Sequence, residues 1–193
     1  MMNPKIIIVV FFFTMQLTVR GQVNFPLNTS GKIEISDVVI DSVKKEDLYA
    51  LASTWFETLK KNTTVTMKTI RRDSINGNIS GDMEFSVFYQ SGVIQKVLGS
   101  VTCKLEIDVK DYKYRYRYTD FVFHEYKQDR YYRSLPTGKT KMLEEPEALG
   151  WQKNWEHCKS ATNTKITNQI IELKQKMIPV KVAAVALKKK VDW

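Results

Sequence analysis

Apolar and polar positions follow several distinct rhythms along the chain. Lys5 is followed by an unbroken apolar run, Ile6 to Phe13, which gives way to Thr14, Gln16 and Thr18 and then to the small Gly21. The run falls short of the roughly 20 apolar residues that a membrane span needs. A positive start, a short apolar centre and a small residue after it are the parts of a cleavable signal peptide, so residues 1–22 are expected to be removed on export. No cysteine stands at the end of the run to carry a lipid. Residues 23–31 (VNFPLNTSG) combine Pro, Asn, Ser and Gly and read as a linker. Lys32 to Asp41 alternates as a first strand. Leu48, Leu51, Trp55 and Leu59 then recur at spacings of three and four, predicting a helix over 44–61. Ser42 is its expected N-cap. Glu46 and Asp47 in the first turn and Lys60 and Lys61 in the last suit the helix dipole.

The period then changes to two. Thr64 to Arg72 is rich in β-formers, Asn76-Gly77 is a two-residue hairpin signal, and Asn78 to Gln90 alternates. Ser91-Gly92 is a further turn before a long strand from Val93 to Lys110, with Gly99-Ser100 a candidate bulge. Segment 101–123 is the clearest. A turn at Asp111-Tyr112 sets Val109 against Tyr114, Ile107 against Tyr116 and Leu105 against Tyr118. The same register sets Asp108 against Arg115 and Glu106 against Arg117, so one face is apolar and the other charge-matched. Carried further, it turns Phe121 and Phe123 to the charged face and leaves Asp120 on the apolar one. A bulge near Thr119 would repair this; otherwise Asp120 is a buried carboxylate in need of partners.

Residues 129–147 read as a loop around Pro136 and Gly138, and Pro146 as a helix opening. Trp151, Trp155 and Cys158 share one helical face, as do Ile166, Ile170, Leu173 and Met177, in one broken helix or in two. Pro179 ends the pattern, leaving 179–193 as a basic tail. The order β-α-β-β-β-β-α predicts an α+β fold: a single domain over 32–178 with an antiparallel sheet and helices packed on one face.

Three stretches, GKIEISDVV (31–39), DLYALASTWF (47–56) and KDYKYRYRYTDF (110–121), make residues 31–125 resemble an exported Bacteroidetes family, domain of unknown function 4468. The family's TATA-binding-protein-like fold implies a curved antiparallel sheet backed by helices and a place in the envelope. It supplies no catalytic residues. Tyr112 departs from it, since glycine is expected in that turn. The fold name does not imply DNA binding.

Composition adds little that overrides this reading. With 193 residues, 43% hydrophobic and 26% charged, the chain can bury a core without staples. The formal charge of +9 is partly carried by Lys5, Arg20 and four lysines near the C-terminus. The two histidines, His124 and His157, are far apart, so no metal site is expected, and no motif suggests a cofactor. No GxSxG or Cys/His pair points to a hydrolase. Lys113, Arg115 and Arg117 alternate with tyrosines in the manner of a nucleic-acid surface. Cross-strand acids and export argue against that partner. Cys103 on a strand and Cys158 on a helix over it are a candidate disulfide, the alternative being two buried thiols. Sequons occur at Asn28, Asn62 and Asn78, here taken as chance.

The expectation is therefore a non-enzymatic protein, periplasmic, outer-envelope associated or secreted. It would bind a ligand or protein partner through a sheet face, for which Arg115, Arg117, Phe121 and Phe123 are the candidates. The alternatives are a structural accessory subunit of an envelope complex, or a glycan-active enzyme using Asp120 and a second acid.

Overall fold

A computed structural model describes residues 25–91, 94–146 and 151–179. The signal segment 1–22 and nearly all of the tail lie outside the described residues. The strands are β1 (Ile35–Ile40), β2 (Thr66–Asp73), β3 (Asn78–Ser91), β4 (Ile94–Lys110), β5 (Lys113–Gln128) and β6 (Ser134–Met142). The helices are α1 (Lys45–Lys61) and α2 (Gln152–Lys176). No described helix is long and apolar enough to cross a membrane. The strands form one antiparallel sheet in the order β1-β5-β4-β3-β2, with β6 pairing β5 beyond β1. Helix α1 must carry the chain from one edge to the other. Seventeen residues at about 1.5 Å each span roughly 25 Å, enough to cross five strands set about 4.8 Å apart.

The architecture is α+β as expected, but the order gains a strand. Residues 134–142, expected in a loop, pair with β5. The alternation is masked because β6 is a mostly exposed edge strand. It accommodates Pro136 and is bulged near Gly138, whose φ is +80°. Residues 25–31, expected as linker, form a tight turn instead. Leu27 pairs with Ile33, and the Asn28 carboxamide oxygen accepts from the amides of Ser30 and Lys32. The Asn62 side chain caps its own turn in the same way through the Thr64 amide, so two of the three sequons serve turns. The connection after β2 is four residues long, Ser74 to Gly77, rather than a two-residue turn, because Asp73 rather than Ile75 closes the ladder on Asn78.

One face of the sheet holds the core. Val101, Cys103, Leu105, Ile107 and Val109 of β4 lie between Ile79, Met83, Phe85 and Val87 of β3 and Tyr114, Tyr116 and Tyr118 of β5. The predicted register of the 101–118 hairpin is the observed one, from Val109 opposite Tyr114 to Leu105 opposite Tyr118. Between Thr102 and Lys104 it shifts, because β5 contains an extra residue. Asp120 takes φ +55°, the left-handed conformation that suits a bulge. Phe121 and Phe123, placed by the unbroken register on the charged face, are therefore in the core, 0% and 2% exposed. Asp120 itself is exposed.

Both helices cover this face. Helix α1 buries Leu48, Ala52, Trp55, Phe56 and Leu59. Helix α2 is a single helix, and Trp155, Cys158, Thr162, Ile166, Gln169 and Leu173 follow each other on it at three or four residues. It starts at Gln152 rather than at Pro146, and the Trp155 indole donates to the Glu145 carbonyl at 3.1 Å. Its end is tied to the β1 edge by Lys174, whose Nζ is 3.0 Å from Asp37. Cys103 and Cys158 are free buried thiols and form no disulfide, which corrects that candidate. Burial pushes both thiols up, Cys158 to about 12, so neither is a ready nucleophile.

The expected cap Ser42 lies outside α1, which is preceded by Lys44 with no side-chain cap of its own. The cap comes from the β4–β5 turn: the Lys45 amide donates to the Asp111 carboxylate at 3.1 Å. Around it, the Asp41 amide donates to the Tyr112 carbonyl and the Tyr112 amide to the Val43 carbonyl. Tyr112 holds φ +63° in that turn, which explains why glycine is expected there. Asp111→Ala is expected to cost about 1 kcal/mol, the usual worth of an N-cap, in a urea unfolding titration. Full wild-type stability in this variant would show that the helix start does not depend on the hairpin tip.

Candidate functional site

With both helices on one side, the opposite sheet face is left without a covering layer among the described residues. Its outward positions include Val38 and Ile40 of β1, Glu84 of β3, Thr102, Lys104, Glu106 and Asp108 of β4, and Arg115 and Arg117 of β5. Val38 and Ile40 are 54% and 83% exposed, an apolar edge to an otherwise polar surface.

Most of its charges are paired. Arg115 donates through Nε and Nη2 to Asp108 at 3.1 and 2.6 Å, and Asn78 donates to the other Asp108 oxygen at 2.7 Å. Arg117 forks onto Glu106, whose second oxygen lies 2.6 Å from Lys104 Nζ. Lys68 pairs with Glu84, which also accepts from the Ser100 hydroxyl at 2.8 Å. Lys68 is the main cause holding the Glu84 carboxyl below the usual range, against the opposing effect of burial. Burial alone would raise Asp108 and Glu106, but their cationic neighbours outweigh it and both end up lowered. Arg115 and Arg117 are thus on the face where the sequence puts them, each engaged with the acid that the register assigns. Phe121 and Phe123 are not part of this face, since the bulge at Asp120 returns them to the core.

The bulge has a second consequence. Beta-strand β5 is flanked by β1 over its first half and by β6 over its second, leaving a notch between the two around Asp120. The turn 25–34 and residues 143–145 fill it in part. Phe25 stacks near Phe121 at 6.2 Å, the Leu143 amide donates to the Phe121 carbonyl, and the Ile33 amide donates to Glu144 at 2.7 Å. Two shallow clefts remain. One, of about 270 Å³, is lined by the turn residues Asn28, Lys32 and Ile33 and by Lys104, Glu106, Arg117, Thr119 and Asp120. The other joins Gly31, Lys32 and Asp120 to Met142, Glu144 and Glu145. Sequence reasoning misses Lys32 and the notch because nothing local links the first residue of a predicted strand to a strand bulge almost ninety residues later. The positive φ at Asp120 is the one feature with a sequence signal, the broken alternation after Tyr118.

A further concavity lies at the far end of β5, where Phe123, Glu125, Lys139, Thr140, Lys141 and Trp151 line about 270 Å³. Among the described residues, no three potential metal ligands cluster.

The ion pairs set a pH dependence. Glu84, Glu106 and Asp108 have folded values below their ordinary ones of 4.5 and 3.8, so the stability they contribute is present above those values. It is lost as the pH falls through the lowered folded values. Unfolding free energy is expected to be flat in this contribution from pH 7 to about 5 and to fall below about pH 4. Replacing Glu84, Glu106 and Asp108 together by their amides should flatten that fall in a series of urea titrations. An unchanged acid limb would mean that the pairs contribute nothing to the acid response.

Residues 36–124 match the family model described as "Domain of unknown function (DUF4468) with TBP-like fold". A TBP-like protein of Parabacteroides distasonis has a similar structure, with a TM-score of 0.59 at 16% identity over 79% of this chain and 96% of that one. A DUF4468 family protein of Bacteroides ovatus gives 0.56 at 15% identity over 83% of this chain and 93% of that one. At these identities the likeness is one of fold. No curated protein matches. The chain thus has the TBP-like fold of these structures, and its residues 36–124 match the DUF4468 family model.

Proposed function

We propose that the protein is an exported, non-catalytic binding module of the cell envelope that engages a ligand or protein partner on the uncovered face of its sheet. The observation that carries this reading is the placement of both helices on one face. A sheet in a small α+β domain is stable with one covered face, and the other is then open for contact. The ion-paired rows on that face hold their side chains in fixed positions, and Val38 and Ile40 add an apolar margin. A non-catalytic role is favoured by the setting of Asp120. It stands open to solvent at the left-handed position of the bulge. Export is favoured by Lys5 and the apolar run Ile6 to Phe13.

Photo-cross-linking in intact cells tests this reading directly. A photoreactive residue at Val38 or Thr102 samples the open face, and one at Thr58 or Ile171 samples the helical side. Adducts are expected from the open-face positions on a chain lacking residues 1–22. Adducts from the helical side alone, or a product that retains its N-terminal segment in the cytoplasm, would contradict the proposal.

A further inference from the structure

Most charges of the open face are paired, but two that line the notch are not. Lys32 lines both of its clefts, and so does Asp120. Among the described residues, the Lys32 ammonium has no hydrogen-bond or ion-pair partner. Asp120 has only a long contact, 3.4 Å, from its neighbour Thr119. The two opposite charges therefore face the same hollow without meeting each other. Both are held in place by backbone structure. Lys32 closes the turn in which its amide donates to Asn28, and Asp120 sits at the left-handed position of the bulge.

The surroundings select among ligand classes. Towards the sheet face the walls add Lys104 and Arg117, both already joined to Glu106, with an Arg117 amino group, Nη1, outside that pair. Towards β6 they add Glu144 and Glu145. A simple anion would meet the acids, and a simple cation would meet the bases. No aromatic side chain lines either cleft, so a sugar face would have nothing to stack on. A small molecule with both an ammonium and a carboxylate satisfies both walls. Its carboxylate would take Lys32 and the free edge of Arg117, and its ammonium would take Asp120, with the Glu144–Glu145 side adding attraction. A cleft of about 270 Å³ is of a size for an amino acid or a very short peptide.

We propose that this notch binds a small zwitterion, an amino acid or short peptide with both ends free, through Lys32 and Asp120. The assignment rests on reading the open face as a binding surface, and it is narrower than that reading.

The test is an amide-resolved NMR titration of the protein from Gln22 onward with Ala-Ala, and with its N-acetylated and C-amidated forms. Saturable shifts are expected at Lys32, Thr119 and Asp120, with at least tenfold weaker binding when either end is blocked. Lys32→Ala should weaken the free dipeptide at least fivefold, and so should Asp120→Asn. Asparagine tolerates the left-handed position, so the latter variant keeps the bulge, and an unchanged amide spectrum away from the notch verifies this. Equal binding of blocked and free forms would overturn the zwitterion assignment, as would the absence of any saturable shift. Shifts confined to Val38, Ile40 and Arg115 would also overturn it, while leaving the open face as a binding surface.

Discussion

Between Thr102 and Lys104 the two central strands change register because Asp120 adds a residue to β5, and the left-handed bulge that absorbs this residue keeps the sheet two-faced over its whole length. Before it, Tyr114, Tyr116 and Tyr118 point to the core; after it, Phe121 and Phe123 do. A strand's side chains alternate with a period of two, so if Asp120 took a regular strand position instead of a bulge, every residue after it would change sides. Two phenylalanines would leave the core, and Val122 and His124 would enter it. The left-handed conformation of a non-glycine residue costs about 1 kcal/mol. Truncating a single buried phenylalanine costs about 3–5 kcal/mol. The strain is therefore small against what it preserves.

The same residue shapes the surface. By bending β5 where its outer neighbour changes from β1 to β6, the bulge creates the notch that the turn 25–34 and the segment 143–145 partly fill. Structure and candidate site thus share one cause. The hairpin tip plays a comparable double role at the other end of the ribbon. Asp111 caps α1, and the neighbouring Tyr112 backbone bonds to Asp41 and Val43, so the crossing helix is aligned by the strands it covers.

Much of this is readable in the amino-acid sequence, for physical reasons that differ by element. The hairpin 101–118 is legible because its period, its turn and its cross-strand charges all demand one register. The stripe of α1 is legible at Leu48, Trp55 and Leu59, although Ala52 and Phe56 share the burial and Leu51 only partly does. Beta-strand β6 is not legible, since an exposed edge strand containing Pro136 and a bulge shows no alternation. Nor is the cap of α1, because Asp111 reaches it from another part of the chain. Of the four residues first placed on a binding face, Arg115 and Arg117 remain there. Phe121 and Phe123 move to the core by the one-residue shift that the failed alternation signals. Lys32 is out of reach of any local pattern, since its neighbourhood is assembled only when residues 25–34 fold back against β5.

The central claim is that the left-handed bulge at Asp120, rather than its carboxylate, keeps Phe121 and Phe123 in the core. Urea unfolding of Asp120→Gly alongside Asp120→Val tests it most directly. The account predicts that glycine leaves the protein at least as stable, with a gain of up to about 1 kcal/mol from relief of the left-handed strain. It predicts that Asp120→Val, whose β-branched side chain resists the left-handed conformation, loses about 1–2 kcal/mol. A valine variant that unfolds at or above the wild-type midpoint would contradict it.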